Sequence, residues 1–305
     1  MDKDKVYRDF LEILPEKNVK LDEPMKKHTS FRVGGPADLL VRPENEDEIK
    51  KIFEYINKED IPYMIIGNGS NLLVKDGGIR GLVVEIADNF NNIEFEGTTV
   101  KVQSGALLSV IGNRAMKKGL CGFEFASGIP GTFGGALAMN AGAYGGEIKD
   151  IVKSVRVMDT DGNIMELSNS EMGFAYRKSI LVEKSYIALS AVIELKEGKI
   201  EDIKAEMDDL RQKRVTKQPL NFASAGSTFK RPDGYFAGKL IQDCGLKGLS
   251  LRDAQVSEKH SGFVINRGNA TAKDILDLMY IVKATVKTKF GVVLEEEVKI
   301  VGDDE

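Results

Sequence analysis

Apolar residues recur every three or four positions along NEDEIKKIFEYINK (45–58), where Ile49, Ile52, Phe53 and Ile56 form one stripe. That spacing predicts an amphipathic helix, with Asn45 as its cap and Glu48 three residues further on. Residues 3–14 carry a shorter pattern of the same kind and predict a small packing helix. The run PYMII (62–66) predicts a strand, followed by the glycine turn GNGSN (67–71), a short strand LLV (72–74), the turn KDGG (75–78) and the strand GLVVEI (81–86). Two more strands are predicted within 92–104 and a helix over 106–118. VKSVRVMDTDGNIMEL (152–167) predicts a hairpin about Asp161-Gly162, and YIALSAVIEL (186–195) another strand. Residues 200–216 turn helical and highly charged, as at a domain junction. A last helix opens at Thr271, buries Ile275, Leu278, Met279, Val282 and Val286, and stops at Gly291. Strands and helices mix without strict βαβ alternation, which predicts an α+β fold over a doubly wound sheet.

Composition narrows the function classes. The chain has 305 residues, 42% of them hydrophobic and 30% charged, as expected for a soluble protein of about two domains. Its net charge of −4 argues against a global surface for nucleic acid or an anionic membrane, although a local basic cleft could take an anionic substrate. No apolar run approaches the roughly 20 residues of a membrane span, and MDKDKVYRDFLEIL lacks the apolar stretch of a signal peptide, so a cytoplasmic protein is expected. Cys121 and Cys244 form no CxxC and are expected to be buried thiols. With only His28 and His260, a multi-histidine zinc or haem centre is nearly excluded.

The glycines change the picture most. Eight of the 25 residues in GFEFASGIPGTFGGALAMNAGAYGG (122–146) are glycine, where average usage gives about two. Glycine permits positive φ and close approach of a backbone to a ligand, and turns of this kind aim N–H groups at anions. GNGSN (67–71) and GIPGTFGG (128–135) both qualify. Neither carries the G-K-[ST] of a Walker loop, and the first resumes a strand where a Rossmann fingerprint would open a helix. The plain alternative is a pair of tight turns with close strand packing. Two anion cradles suit a diphosphate better than a single phosphate. Asn140, inside the apolar stretch ALAMNAGA, and Ser70 and Asn71, after the first turn, could reach ring or ribose oxygens or simply cap turns.

Eight motifs, in order between about residue 20 and residue 302, then resemble one family. They are HTSFRVGGPADLLVRP (28–43), GNGSNLLVKDGGIRGLVV (67–84), GIPGTFGGALAMNAGAYGGEI (128–148), YRKS (176–179), SAGSTFKRP (224–232), AGKLIQDCGLKG (237–248), KHSGFVIN (259–266) and LEEEV (294–298). Together the chain resembles the UDP-N-acetylenolpyruvoylglucosamine reductase (MurB) family of peptidoglycan synthesis. The resemblance implies non-covalent FAD in a vanillyl-alcohol-oxidase (PCMH) type domain of two α+β halves, NADPH as co-substrate, and a C-terminal α+β substrate domain. The boundaries expected are an N-terminal helix at 1–20, the FAD domain at 21–200 (halves 21–90 and 91–200) and the substrate domain at 201–305. A monomer without membrane or nucleic-acid partners is expected.

The same resemblance implies the site. Arg177 grips the substrate carboxylate, Ser227 donates a proton, and Glu297, chosen over Glu295 and Glu296 because it precedes Val298, polarises the enolpyruvyl group. Cofactor contacts are implied for Gly67, Asn68, Gly69, Ser70, Asn71 and Leu72 in the first turn. In the second they are Gly128, Ile129, Pro130, Gly131, Thr132, Gly134, Gly135 and Ala136, continuing to Asn140, Gly142 and Ala143. Arg214 is implied as a flavin or phosphate contact, and Tyr176, Lys217, Lys230 and His260 as substrate contacts; Arg214 and Lys217 also read as an ordinary basic helix end. The chain departs from relatives at Arg231, where some have Asn, at His260, where others use Gln, and at His28, where many have Asn and capping is expected. Only 50 residues separate Arg177 from Ser227, which implies the shorter, type II subclass. A flavin oxidase tethered through His28 and a non-catalytic nucleotide sensor are the competing readings.

Overall fold

The computed structural model describes residues 1–304. They fall into two compact units. The first comprises Met1–Leu21, Leu39–Asn68 and Gly81–Arg214, and the second Asp22–Asp38, Gly69–Arg80 and Val215–Glu305.

The first unit holds two cores. In one, the helix Lys3–Leu11 buries Val6 and Phe10, and the helix Glu46–Glu59 buries Ile49, Ile52, Phe53 and Ile56 against Leu39, Val41, Leu82 and Val84. The local signals act as the pattern predicts: Asn45 accepts the Glu48 N–H at 2.9 Å, and the chain leaves through Asp60 at φ 50°. The strands beneath run in the order Val19–Pro24, Pro36–Val41, Ile79–Glu85, Tyr63–Ile66, the last pair parallel.

The other core lies under a five-stranded antiparallel sheet, in the order Ile164–Ser168, Val152–Met158, Ile187–Glu194, Thr99–Gln103, Ile93–Glu96. Its first two strands are the hairpin expected about Asp161-Gly162, with Met158 opposite Ile164 and Gly162 at φ 86°. The helix Leu108–Lys117 and two short helices, Glu124–Ser127 and Phe133–Ala138, cover the sheet with Ile111, Phe123, Phe133 and Leu137. The helix Phe133–Ala138 lies inside the glycine-rich stretch, where the residue pattern predicts none. Thr132 caps it, its hydroxyl accepting from the Gly135 N–H at 3.4 Å.

The second unit packs around the helix Ala272–Phe290, which buries Ile275, Leu278, Met279, Val282 and Val286. Thr271 and Asp274 close a capping box, and Gly291 ends the helix at φ 70°. A small antiparallel sheet of Ser250–Leu251, Ala254–Val256 and Val264–Asn266 lies against it. Two distant segments complete this unit. Leu72–Val74 pairs in parallel with Lys299–Val301, and the Asp76 carboxylate accepts from the Ala272 and Lys273 N–H groups at 2.9 Å each. Residues 22–38 and 69–80 therefore group with 215–305, a spatial division that departs from linear boundaries at 21, 90 and 201.

No helix among the described residues is long and apolar enough to cross a membrane. Cys121 and Cys244 are free thiols and only half-buried, where burial is the expectation from sequence. Cys121 sits in a two-residue strand and Cys244 at the end of the helix Ala237–Asp243, positions a core cannot fully cover.

Candidate active site

The second glycine loop is built by backbone close approach at both ends. A Cβ on Gly134 would lie 2.8 Å from the Ser104 Cβ, and one on Gly67 would collide with the Thr132 hydroxyl. Those two glycines therefore answer to packing, and the packing joins the first unit's part of the GNGSN turn to the cap of the short helix. Phe133 and Gly134 spend their N–H groups on the carbonyls of Ala106 and Ser104, at 2.8 and 2.7 Å. Ala136 is buried, with its N–H on the Thr132 carbonyl. Among the described residues, the N–H groups of Gly131 and Thr132 find no acceptor.

Gly128 answers to something else. A Cβ there would lie 2.5 Å from Nη1 of Arg214. Arg214 belongs to the charged helix Ile200–Lys217, in which only it and Ile203 are buried. Arg214 is 8% exposed; its guanidinium stands 5.7 Å from the Tyr144 ring and leaves the buried Nε and Nη1 without acceptors. Ser104 is 3% exposed and its buried hydroxyl is likewise unpaired. Buried donors are nearly always satisfied in a native protein. An unpaired arginine against Gly128, a glycine with no room for a side chain, and two spare amides three and four residues further along the loop are the kind of donors an anion needs, and they fit the diphosphate of a dinucleotide such as FAD.

Among the described residues beyond this loop, five non-glycine residues take a positive φ: Asn140 at 41°, Tyr144 at 53° and Arg177 at 56°, with Ser185 at 55° and Arg252 at 48°. A left-handed conformation costs such residues roughly 1–2 kcal/mol, and strain of this kind gathers at functional sites. Tyr144 turns the hairpin of Gly142–Ala143 with Gly146–Glu147; its only signal in the sequence is an aromatic residue set in the glycine-rich run GAYGG. Arg177 occupies a turn closed by two hydrogen bonds between Ala175 and Lys178, at 3.1 and 3.2 Å, with its guanidinium 5.2 Å from the exposed Tyr176 ring. Asn140 is 2% exposed, and its amide is committed inside the protein: it donates to Glu147 and to the Ala175 carbonyl and accepts from the Lys149 N–H. Its side chain is thus not free to reach a ring or ribose oxygen. The hydrogen bond from Lys149 holds the Glu147 carboxyl below the usual carboxylate range, with Asn140 and the charge of Arg177 adding to it.

In the second unit, backbone pairing sets the register of Ser227 and the acidic triplet. Phe229 bridges Glu296, the Glu297 N–H reaches the Thr228 carbonyl at 2.9 Å, and the Lys230 N–H reaches that of Glu295 at 2.8 Å. Ser227 follows Gly226, which is at φ 77°, and precedes Thr228, whose buried hydroxyl accepts the Val264 N–H at 2.9 Å. The acidic triplet divides its partners: Glu295 pairs with Lys230 at 3.1 Å and Glu296 with Lys283. The Glu297 carbonyl takes a hydrogen bond from the Asn71 amide at 3.0 Å, which uses one of that amide's two hydrogens. Leu72 lies in the strand opposite Lys299. Gly69, at φ 55°, has no room for a Cβ against the His28 carbonyl, and Ser70 accepts from Ser30 through its own carbonyl. The His28 ring pairs with Glu23 at 3.1 Å. His260 accepts the Gly262 N–H on Nδ1 at 3.1 Å, which leaves the proton on Nε2, and burial holds its pKa below the ordinary histidine value. Lys217 is exposed at its helix end.

Two family models match the chain: an FAD binding domain over residues 37–168, and the C-terminal domain of UDP-N-acetylenolpyruvoylglucosamine reductase over 218–301. The UDP-N-acetylenolpyruvoylglucosamine reductase of Clostridioides difficile (strain 630) is 66% identical over 304 residues, all of both chains. That of Caldanaerobacter subterraneus subsp. tengcongensis is 56% identical over 292 residues, 96% of each. The crystal structure of the MurB enzyme of Thermus caldophilus superposes with a TM-score of 0.80 at 36% identity, covering 92% of this chain and 97% of that one. The α+β architecture, the match to an FAD binding domain and full-length identity agree: this chain belongs to the UDP-N-acetylenolpyruvoylglucosamine reductase family and is a flavin-dependent oxidoreductase.

Proposed function

We propose that the chain catalyses NADPH-dependent reduction of UDP-N-acetylglucosamine enolpyruvate to UDP-N-acetylmuramate, in the cytoplasm, as a step of peptidoglycan precursor synthesis. Full-length identity of 66% to a reductase named for the enolpyruvoyl sugar carries this reading. The chemistry that bound FAD supplies is acceptance of a hydride from NADPH and its delivery to the terminal vinyl carbon.

The protein's side chains supply orientation, charge and a proton. In this reading the amides of Gly131 and Thr132, with Arg214, hold the diphosphate of FAD, and Gly128 clears the room that Arg214 needs. Hydride addition leaves an enolate beside the substrate carboxylate, which needs charge stabilisation and then protonation. Arg177 grips that carboxylate through two parallel N–H bonds, a geometry lysine lacks. Ser227 gives its hydroxyl proton to the enolate carbon; a serine is a weak acid, but an enolate is a strong base. Glu297 polarises the enolpyruvyl group, and its backbone is steadied by the Asn71 amide and the Thr228 carbonyl. Tyr176, Lys217, Lys230 and His260 contact the UDP-sugar, with Lys230 exchanging Glu295 for the substrate.

The test is the visible spectrum. The purified protein is expected to be yellow, to bleach with NADPH under anaerobic conditions, and to recover colour on addition of the enolpyruvyl UDP-sugar. A colourless preparation that FAD cannot reconstitute would overturn the cofactor, and a bleached protein that stays bleached would overturn the substrate.

A further inference from the structure

Arg177 holds a left-handed backbone that a free turn would relax, so something outside the turn has to over-determine it. The Ala175–Lys178 hydrogen bonds close the turn without fixing where it sits. Two side chains do fix it, one on each shoulder. On one side Nδ2 of Asn140 donates to the Ala175 carbonyl at 3.3 Å. On the other, the Ser179 hydroxyl, on a residue with 0% exposure, donates to the Ala138 carbonyl at 2.9 Å. Both bonds tie the turn to one short stretch, residues 138–140, at the close of the glycine loop's helix.

Asn140 suits this task in three ways. Asparagine tolerates the left-handed φ of 41° better than other residues with a side chain. Both amide hydrogens are used, the second on Glu147 at 2.9 Å, and its oxygen accepts the Lys149 N–H at 3.0 Å, so its donors are fully committed inside the protein. Aspartate would lose both donors and set a second carboxylate beside Glu147. We infer that Asn140 is a positioning residue for Arg177, and that with Ser179 it clamps the arginine's turn in the orientation the reaction uses. The inference rests on the proposed role of Arg177 as the carboxylate clamp.

The experiment is a double-mutant cycle of Asn140→Gly and Arg177→Lys, read by anaerobic stopped flow. Glycine keeps the backbone angle and removes only the amide. Flavin content and bleaching by NADPH are expected to stay at wild-type levels, while kcat/KM for reoxidation by the enolpyruvyl substrate falls on the order of tenfold to a hundredfold, as misplacement by about an ångström produces. The double variant is expected to be no worse than Arg177→Lys alone. Unchanged reoxidation in Asn140→Gly, or losses that simply add in the double variant, would overturn the inference. Should Asn140→Gly fail to fold, Ser179→Ala enters the same cycle with the same two outcomes. Should the wild type not be reoxidised by the substrate at all, the proposed activity fails, and hydrogen exchange decides on Asn140 separately: the Ala175 and Lys178 amides lose protection in Asn140→Gly, and equal protection sinks the clamp.

Discussion

Ser227 and His260 make the sharpest claims for single residues. Ser227 is half-buried beside a strand pairing that also carries Glu297, and the reaction proposed for it needs one proton. Ser227→Ala is expected to keep FAD and its bleaching by NADPH while slowing reoxidation by substrate about a hundredfold or more, the usual scale for a lost general acid. Turnover near the wild-type rate would remove Ser227 from the mechanism. His260 makes a pH prediction. Burial holds it neutral, and its Nδ1 accepts the Gly262 N–H, a bond that protonation breaks. The folded pKa lies below the unfolded value near 6.5, so the unfolded chain takes up the proton first. The stability owed to this site is complete above about pH 6.5 and is lost as pH falls through the folded value. In His260→Gln, the decline of the urea midpoint between about pH 7 and 5.5 is expected to flatten; an unchanged decline would show that other groups govern it.

At the scale of elements, the glycine loop and the charged helix build the proposed cofactor site jointly. The loop's glycines have two causes. Gly67 and Gly134 are bare because neighbouring atoms of Thr132 and Ser104 leave no space, and Gly128 is bare because Arg214 occupies it. Gly128→Ala must push the guanidinium away, since a Cβ 2.5 Å from Nη1 is closer than any real contact. The protein is expected to fold, because the site is polar and lies outside the hydrophobic core, but to bind FAD at least about tenfold more weakly in a flavin-fluorescence titration of apoprotein, the cost of one misplaced charge-assisted bond. Wild-type affinity in that variant would separate Arg214 from the cofactor.

For the whole molecule the issue is discontinuity. The chain passes from one unit to the other five times, after residues 21, 38, 68, 80 and 214. The second unit's core includes Phe31, Val33 and Leu73 beside the residues of the helix Ala272–Phe290, and Asp76 satisfies two N–H groups at that helix's start. A fragment of residues 215–305 matches a family domain almost end to end, yet it lacks those three side chains, a sheet partner for Lys299–Val301 and the second cap. We expect it to lack cooperative unfolding by circular dichroism, since a domain this small has little stability to lose. A sharp thermal transition in the fragment would refute this.

What the chain's own order of residues determined is local. Caps at Asn45 and Thr271, stops at Asp60 and Gly291, the turn at Gly162 and the stripes between them act through contacts within a few residues, and such contacts are written in spacing. The family, too, was legible, because eight motifs in fixed order leave little room for chance. Tertiary structure alone decided which of those residues face inward. Arg214 reads as one more cation on a charged helix until the fold buries it against Gly128, and Asn140 reads as a ligand's partner until Ala175, 35 positions away, takes its amide. Both outcomes come from contacts between residues far apart in the chain, and no local period records which distant backbone will arrive to accept a hydrogen bond.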